Sequence, residues 1–513
     1  MTAVLTSRLS EARRRLVLNI SSNVLAIIIS SAVAILLTPY LIKHLGLAAY
    51  GVVPLILSIT PYFDLITFSI TSTVGRFVAL HYNAGDFAKA NNYFSSAVLS
   101  LAGLCVVLLA VVVALAAALP RIFNIPRGLE SDATWMFVFM MCSSIATAIA
   151  GPFQAGTFLT HRFDLDNIRK VISKLLQVAV LVGCFSYVSI SIRYVGLSYL
   201  AMSAFMLIAA FFLRRKLTPE LKVDPRHYSL RAVRDMGQMG LWMLVDQIGT
   251  VLCVSTNLLV INIVLGAEQG GRYGAIVQLG MFIFTLGGAI CTVFAPMTFE
   301  YIARGELEEL ARQMRRLVKY MGLIMALPVG LACGFARPIL TLWLGERFAN
   351  LTPLIWILIV PMGIGIVINQ LLLVGRGFNK VKLPATVTVL GGMLNLGLSV
   401  VLAKYTNWGI FGVGLAFATV TTLISVGFVP LYAAHLVGKN RGFFLASLIP
   451  GGLVMAMVSG TGLFLSLLMN GAGTAMLAAA TAAVTCLYGG VVYYAAMGTD
   501  DRLFIRSLLK IKL

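Results

Sequence analysis

The sequence predicts an all-α polytopic membrane protein of about 14 transmembrane helices, built as two six-helix lobes related by pseudo-twofold symmetry plus two C-terminal helices. Three observations carry this expectation. Of 513 residues, 59% are hydrophobic and only 11% charged, and the mean hydropathy is +0.93; soluble chains hold about 45–50% apolar and about 25% charged residues. The apolar residues gather in runs long enough to cross a bilayer, which takes about 20 residues. A set of short landmarks recurs once, at a nearly constant spacing.

The runs cover residues 17–42, 50–75, 91–118, 133–158, 171–190, 194–213, 238–264, 273–297, 317–344, 351–374, 383–403, 409–435, 443–468 and 474–497. Each can cross about 30 Å at about 1.5 Å per residue, and the longest imply tilt or extension beyond the bilayer. Helix is the only open conformation that satisfies its own backbone in lipid. A β-barrel would alternate in polarity, and no alternation is sustained. The first run follows Arg13-Arg14-Arg15. It is longer than a signal-peptide core and lacks an A-x-A cleavage site, so it reads as an uncleaved span.

Orientation follows from the basic residues. With the N-terminus inside, 31 of the 39 Lys and Arg fall in inside segments and 8 outside. This split favours an even number of spans with both termini cytoplasmic. The longest outside connection runs only from Leu119 to Asp132, too short for an outer catalytic or receptor domain. The longest inside link, Arg214 to Gly237, marks a boundary between lobes. The expected organisation is a first lobe over 1–216, a linker over 217–237, a second lobe over 238–438, and a helix pair with a basic cytoplasmic tail over 439–513.

The repeat supports that division. Leu45-Gly46 and Gly85-Asp86-Phe87 recur as Leu265-Gly266 and Gly305-Glu306-Leu307, both at the same offset. Tyr50-Gly51 is echoed by Tyr273-Gly274, and Val195-Gly196-Leu197 by Val413-Gly414-Leu415, at nearly that offset. Six helices per copy means both insert the same way round, which predicts an axis along the membrane normal and a binding site between the lobes.

A net charge of +20 raises the question of nucleic acid. The basic residues sit between apolar runs, where topology and anionic headgroups account for them, so no nucleic-acid partner is expected. The seven cysteines lie inside apolar stretches without paired spacing, which argues for neither disulfide nor metal site. A phosphate-binding G-x-x-x-x-G-K-[ST] loop and an H-E-x-x-H motif are absent. Catalysis by a fixed motif is therefore not expected, and no resident cofactor is implied. The sequon at Asn19 lies on the inside edge and reads as accidental.

What remains is intramembrane polarity, which is costly and faces a cavity or a partner helix. Asp64 in the second span and Asp246, beside Gln247 in the seventh, read either as protonatable groups coupled to transport or as carboxyls bonded between helices. Arg76, near the inner end of the second span, could hold a phosphate by charge-assisted bonds or anchor at the headgroups. Arg272 opens the eighth span, with Lys43 and Arg337 weaker candidates. Amides recur at Asn23, Gln154, Asn257, Asn262, Gln278, Asn369, Gln370 and Asn395, suited to sugar hydroxyls or to helix packing. Arg304 to Lys319 reads as a solvated amphipathic helix on the inner surface, and Gly330 with Gly334 as a close-packing signal.

The first span ends Thr38-Pro39-Tyr40-Leu41-Ile42-Lys43-His44-Leu45-Gly46, followed by Ala49-Tyr50-Gly51-Val52. This resembles the opening of the Wzx-type polysaccharide flippases of the multidrug/oligosaccharidyl-lipid/polysaccharide exporter superfamily. The stretch from Asn257 through Leu265-Gly266-Ala267-Glu268 to Tyr273-Gly274-Ala275 is similar to their seventh and eighth helices. The resemblance implies an alternating-access carrier of polyprenyl-diphosphate-linked oligosaccharide in a bacterial cytoplasmic membrane, driven by H+ or Na+. Its partners would be membrane lipids and polysaccharide assembly proteins. Relatives place basic residues of helices one, two and eight in a central cavity. Arg76 fits the second of these, while helix one offers only Asn19 and Asn23, and Asn257 stands where relatives often have a carboxylate. The other readings are a multidrug or cation antiporter of the same superfamily, a membrane-embedded polysaccharide polymerase or ligase, and a membrane scaffold.

Overall fold

The computed structural model describes residues 2–468 and 473–496. The predicted basic tail, with Arg502, Arg506, Lys510 and Lys512, lies outside the described residues. Among the described residues there is no strand. The helices of the first half are α1 (Thr2–Leu45), α2 (Leu47–Thr71), α3 (Val74–Asn83), α4 (Phe87–Ile122), α5 (Glu130–Phe153), α6 (Ala155–Leu159), α7 (Phe163–Tyr187), α8 (Arg193–Leu217) and α9 (Leu230–Leu265). There follow α10 (Ala267–Arg304), α11 (Leu307–Gly334), α12 (Ala336–Leu344), α13 (Thr352–Ile368), α14 (Leu372–Gly377) and α15 (Lys382–Tyr405). The last are α16 (Gly409–Thr422), α17 (Val429–Leu436), α18 (Ile449–Leu468) and α19 (Thr474–Val491).

Thirteen candidate spans among the described residues are long and apolar enough to cross a membrane, and the chain is a multi-pass membrane protein. The remaining predicted span, 171–190, coincides with α7, which is not among the thirteen. Its 25 residues carry Asp164, Asp166, Arg169, Lys170 and Lys174 in the first half. Asp166, Asn167, Arg169, Ser173 and Gln177 are buried, whereas Ile168, Ile172, Leu175 and Val182 are exposed. The polar stripe faces inward and the apolar one outward, as lipid requires of a helix lining a polar interior. The stretch from Arg304 to Lys319 is not a separate surface helix. It is the end of α10, a turn at Gly305, and the first turns of α11, whose Leu310, Ala311 and Met314 are buried.

The repeated landmarks share backbone geometry. Gly46 has φ 80, ψ 163 between α1 and α2, and Gly266 has φ 90, ψ 171 between α9 and α10. Such left-handed φ values are cheap only for glycine, so each marks a reversal between two spans. Asp86 (φ −86, ψ 73) and Glu306 (φ −83, ψ 62) open α4 and α11 after glycines at φ 77 and φ 71. A Cβ on Gly196 would meet Met136 and Phe139, and one on Gly414 would meet Leu354 and Ile357. Both pairs of partners repeat the offset of the two glycines themselves, so the contact recurs along with the motif.

The chain divides into two compact units, Met1–Ala275 with Ala385–Val413, and Ile276–Pro384 with Gly414–Leu513. In the first unit α9 packs antiparallel on α2. The segment after α8 is strapped along α4: Asn91 donates to Glu220 O (2.9 Å), Ser95 to Lys222 O (3.0 Å), and Ser229 N–H to Ser96 Oγ (2.8 Å). Arg214 anchors the strap, its guanidinium bonded to Leu221 O and ringed by Phe94, Phe153 and Phe211 at 5.4–5.8 Å. In the second unit α11 and α18 run parallel at glycine contacts. A Cβ on Gly451 would lie 2.7 Å from Gly322, one on Gly330 2.6 Å from Val458, and one on Gly334 2.8 Å from Ser459. Close approach of this kind is how helices pack where lipid removes the hydrophobic drive.

Candidate functional site

The sequence-predicted residues of the first unit centre on α2 and α9. These helices touch at Ser69 and Gly240, where a Cβ on the glycine would lie 2.5 Å from the Ser69 carbonyl, and Thr73 Oγ1 donates to Met236 O (3.2 Å). They meet again through Tyr62 and Thr256, whose hydroxyls are 2.6 Å apart. Seven residues of α2 separate these contacts but sixteen of α9. The helices therefore cross unevenly, and Asp64 lies in the interval on one while Asp246 and Gln247 lie in it on the other. Pro61 precedes the interval and removes a backbone donor from α2.

Asp64 is exposed and accepts a hydrogen bond from Ser144 of α5. Asp246 and Gln247 are half-buried, and neither side chain has a hydrogen-bond or ionic partner among the described residues. The interval thus holds one carboxylate tied to a hydroxyl and one untied. This arrangement can exchange a proton, take a small cation, or offer acceptors to sugar hydroxyls.

Arg76 lies beyond the interval, exposed in the first turn of α3, after α2 stops at Thr71. It is unpaired among the described residues and twelve positions from Asp64, beyond the break at Ser72 and Thr73. Arg272 is already committed, donating to Glu268 at 3.0 Å one turn back on α10. Asn369 and Gln370 belong to the second unit, at the junction of α13 and α14. Asn369 is exposed, and Gln370 is buried with Nε2 donating to Val367 O (3.4 Å). Asp64 on α2, and Asp246 and Gln247 on α9, thus lie between the two contacts of a packed helix pair, and Arg76 and Arg272 lie elsewhere in the same unit.

Several polar residues are packing groups. Asn257 and Asn395 are buried in a network joining α9 to α15. Asn262 clasps Asn124, accepting from its backbone N–H at 3.0 Å, with Asn124 Nδ2 donating to Asn262 O (2.9 Å). Asn19 holds the turn before α7, donating to His161 O and accepting from Asp164 N–H, both at 3.0 Å. In that turn Arg162 pairs with Asp164 at 2.9 Å, which pushes the guanidinium pKa up.

Sequence reasoning missed the α7 stripe. Arg169 and Lys170 counted only as inside charges, yet Arg169 is 3% exposed. The signal was available as polar residues at 166, 169, 170, 173 and 177, a helical face opposite an apolar one. Ser144, the partner of Asp64, carried no signal in the linear chain.

Residues 16–302 match the family described as polysaccharide biosynthesis protein. The chain is 30% identical over 432 residues to the uncharacterised membrane protein EpsK of Bacillus subtilis (strain 168), covering 84% of this chain and 86% of that protein. Among solved structures it resembles the lipid II flippase MurJ in an inward closed conformation, with TM-score 0.64 and 12% identity over 96% of this chain and 100% of that one. It also resembles an inward-facing multidrug resistance MATE family transporter of the MOP superfamily, with TM-score 0.61 and 14% identity over 84% and 96%. Those two likenesses are of fold. The match over more than half its length, together with the relative at 30% identity, places the chain in the polysaccharide biosynthesis protein family.

Proposed function

We propose that the protein is a flippase that carries polyprenyl-diphosphate-linked oligosaccharide across a bacterial cytoplasmic membrane by alternating access, for surface polysaccharide assembly. The family match over residues 16–302 carries the reading. The physical task is to move sugar hydroxyls and a diphosphate through hydrocarbon while the prenyl tail stays in lipid. Intramembrane acceptors on α2 and α9 serve that task without covalent chemistry, and Asp64 and Asp246 are the groups for a driving H+ or Na+. Arg76 is free to meet a phosphate at the inner face. The excess of basic residues in inside segments supports cytoplasmic termini.

Lipid extraction from a deletion strain tests the reading, with mass spectrometry of prenyl-diphosphate saccharides. Accumulation of one complete repeat unit, with its surface polymer missing, is expected. Intact surface glycan with no accumulated intermediate would overturn it. That result would favour drug or cation antiport, for which the two carboxylates on adjacent helices are the supporting observation.

A further inference from the structure

The buried stripe of α7 has unmet bonding capacity of both signs. Arg169 donates from Nη2 to Asp166, while its Nε and Nη1, both buried, have no protein acceptor. Asp166 is shared, because Lys170 Nζ lies 2.7 Å from its other oxygen. Eight residues further along the same face, Gln177 is 1% exposed and its Oε1 has no donor. Lys174 stands one turn beyond Lys170, its ammonium 5.7 Å from the Tyr199 ring.

We propose that this stripe is a phosphate-ester subsite, in which Arg169 and Lys170 take the diphosphate of a prenyl-linked saccharide and Gln177 accepts from a hydroxyl of the first sugar. The inference rests on the flippase reading and adds to it a locus away from Arg76 and Arg272. Charge fits: Arg169, Lys170 and Lys174 against Asp166 leave two positive charges, matching a diphosphate diester. Extent fits as well, since eight residues of helix rise about 12 Å. Geometry fits the lipid portion, because Ile168, Ile172 and Leu175 present an exposed apolar face to bilayer on the opposite side of the same turns. A prenyl tail along that face would bring its headgroup round the helix edge at Lys170, which is half-exposed. Asp166 acts as the internal counter-ion that the diphosphate displaces.

The test uses the full-length protein in detergent, with farnesyl diphosphate, inorganic pyrophosphate and phosphatidylglycerol as separate probes, read by native mass spectrometry and ligand-dependent thermal shift. Arg169→Gln is expected to weaken farnesyl diphosphate binding at least about tenfold, and Arg169→Lys less, since the forked donor is lost but the charge kept. Lys170→Gln, at a half-exposed position that folding tolerates, should weaken it by about threefold. Asp166→Asn is expected to bind the probe more tightly than wild type, because the guanidinium is released; a structural ion pair predicts no gain. Phosphatidylglycerol binding should be unchanged in all four. The subsite is overturned if the variants bind farnesyl diphosphate as wild type does. It is equally overturned if their losses fall on phosphatidylglycerol instead, if pyrophosphate alone reproduces the binding, or if wild type binds none of the probes. The flippase reading has its own readout in accumulated saccharide, so a strain that accumulates it while binding ignores Arg169 sinks the subsite alone.

Discussion

The side-chain oxygen of Asn257 accepts a hydrogen bond from Asn395 Nδ2 at 2.9 Å, joining α9 to α15 across 138 residues of chain. The same oxygen accepts from Ser399 Oγ (3.2 Å), and the Asn257 amide donates to Cys253 O (3.1 Å). Asn257, Asn395 and Ser399 are all 1% exposed or less. Replacing Asn257 with Leu strands a hydroxyl and weakens an interhelical bond. The expected cost is about 0.6–2 kcal/mol, because bonds between membrane helices average near the low end while stranded polar groups sit near the high end. Thermal unfolding in detergent checks it, and an unchanged midpoint would show that Asn257 is not a structural tie.

Close backbone contact gives a paired prediction. A Cβ on Gly51 would lie 1.8 Å from the Ala267 carbonyl oxygen, a backbone atom that cannot rotate away. Gly51→Ala should cost about 3 kcal/mol, at the upper end of overpacking. Gly75→Ala meets nothing within 4 Å and should be neutral or slightly stabilising. The yield of monodisperse protein on size exclusion should separate the two.

Asp64 and Asp246 are expected to differ under neutral substitution. Asp64→Asn keeps an oxygen for Ser144, so protein abundance should hold while surface glycan falls at least about tenfold if the carboxylate titrates in transport. Asp246→Asn disturbs no side-chain bond and should act on transport alone. Immunoblots for glycan and protein, run together, decide it. Full glycan with both Asn variants removes the carboxylates from the coupling role.

Arg76→Ala should abolish surface glycan with protein abundance unchanged, since the side chain is exposed and makes no bond that folding would miss. Arg272→Ala removes only a half-screened pair with Glu268 and should cost less than about 1 kcal/mol.

Arg214→Met loses the bond to Leu221 O and the cation over three rings. A loss of about 1–3 kcal/mol of local anchoring is expected. Limited proteolysis should then cut residues 218–229 faster than in wild type. An unchanged cutting rate would mean the Asn91 and Ser95 bonds suffice to hold the strap.

Much of the architecture was legible in the chain. Helix ends at Leu45 and Leu265 follow from glycines that tolerate left-handed φ, a property of one residue. The glycine pair Gly330 and Gly334 read correctly as a packing surface. The candidate site was legible only in part, because residue type names what a side chain can do and not what it meets. Arg272 read as a possible ligand and is paired to Glu268; Asn19 read as a polar group that helix one could offer to the cavity and holds the turn before α7.

That the chain crosses a membrane many times was legible from the order of residues alone, since hydropathy sums over neighbours and needs no partner. The azimuth of each helix was left to packing, and with it whether a polar group met a partner. Arg169 shows the difference. Its charge and its i,i+3 spacing from Asp166 were plain in the linear chain, but that the pair is buried depends on which neighbours α7 packs against.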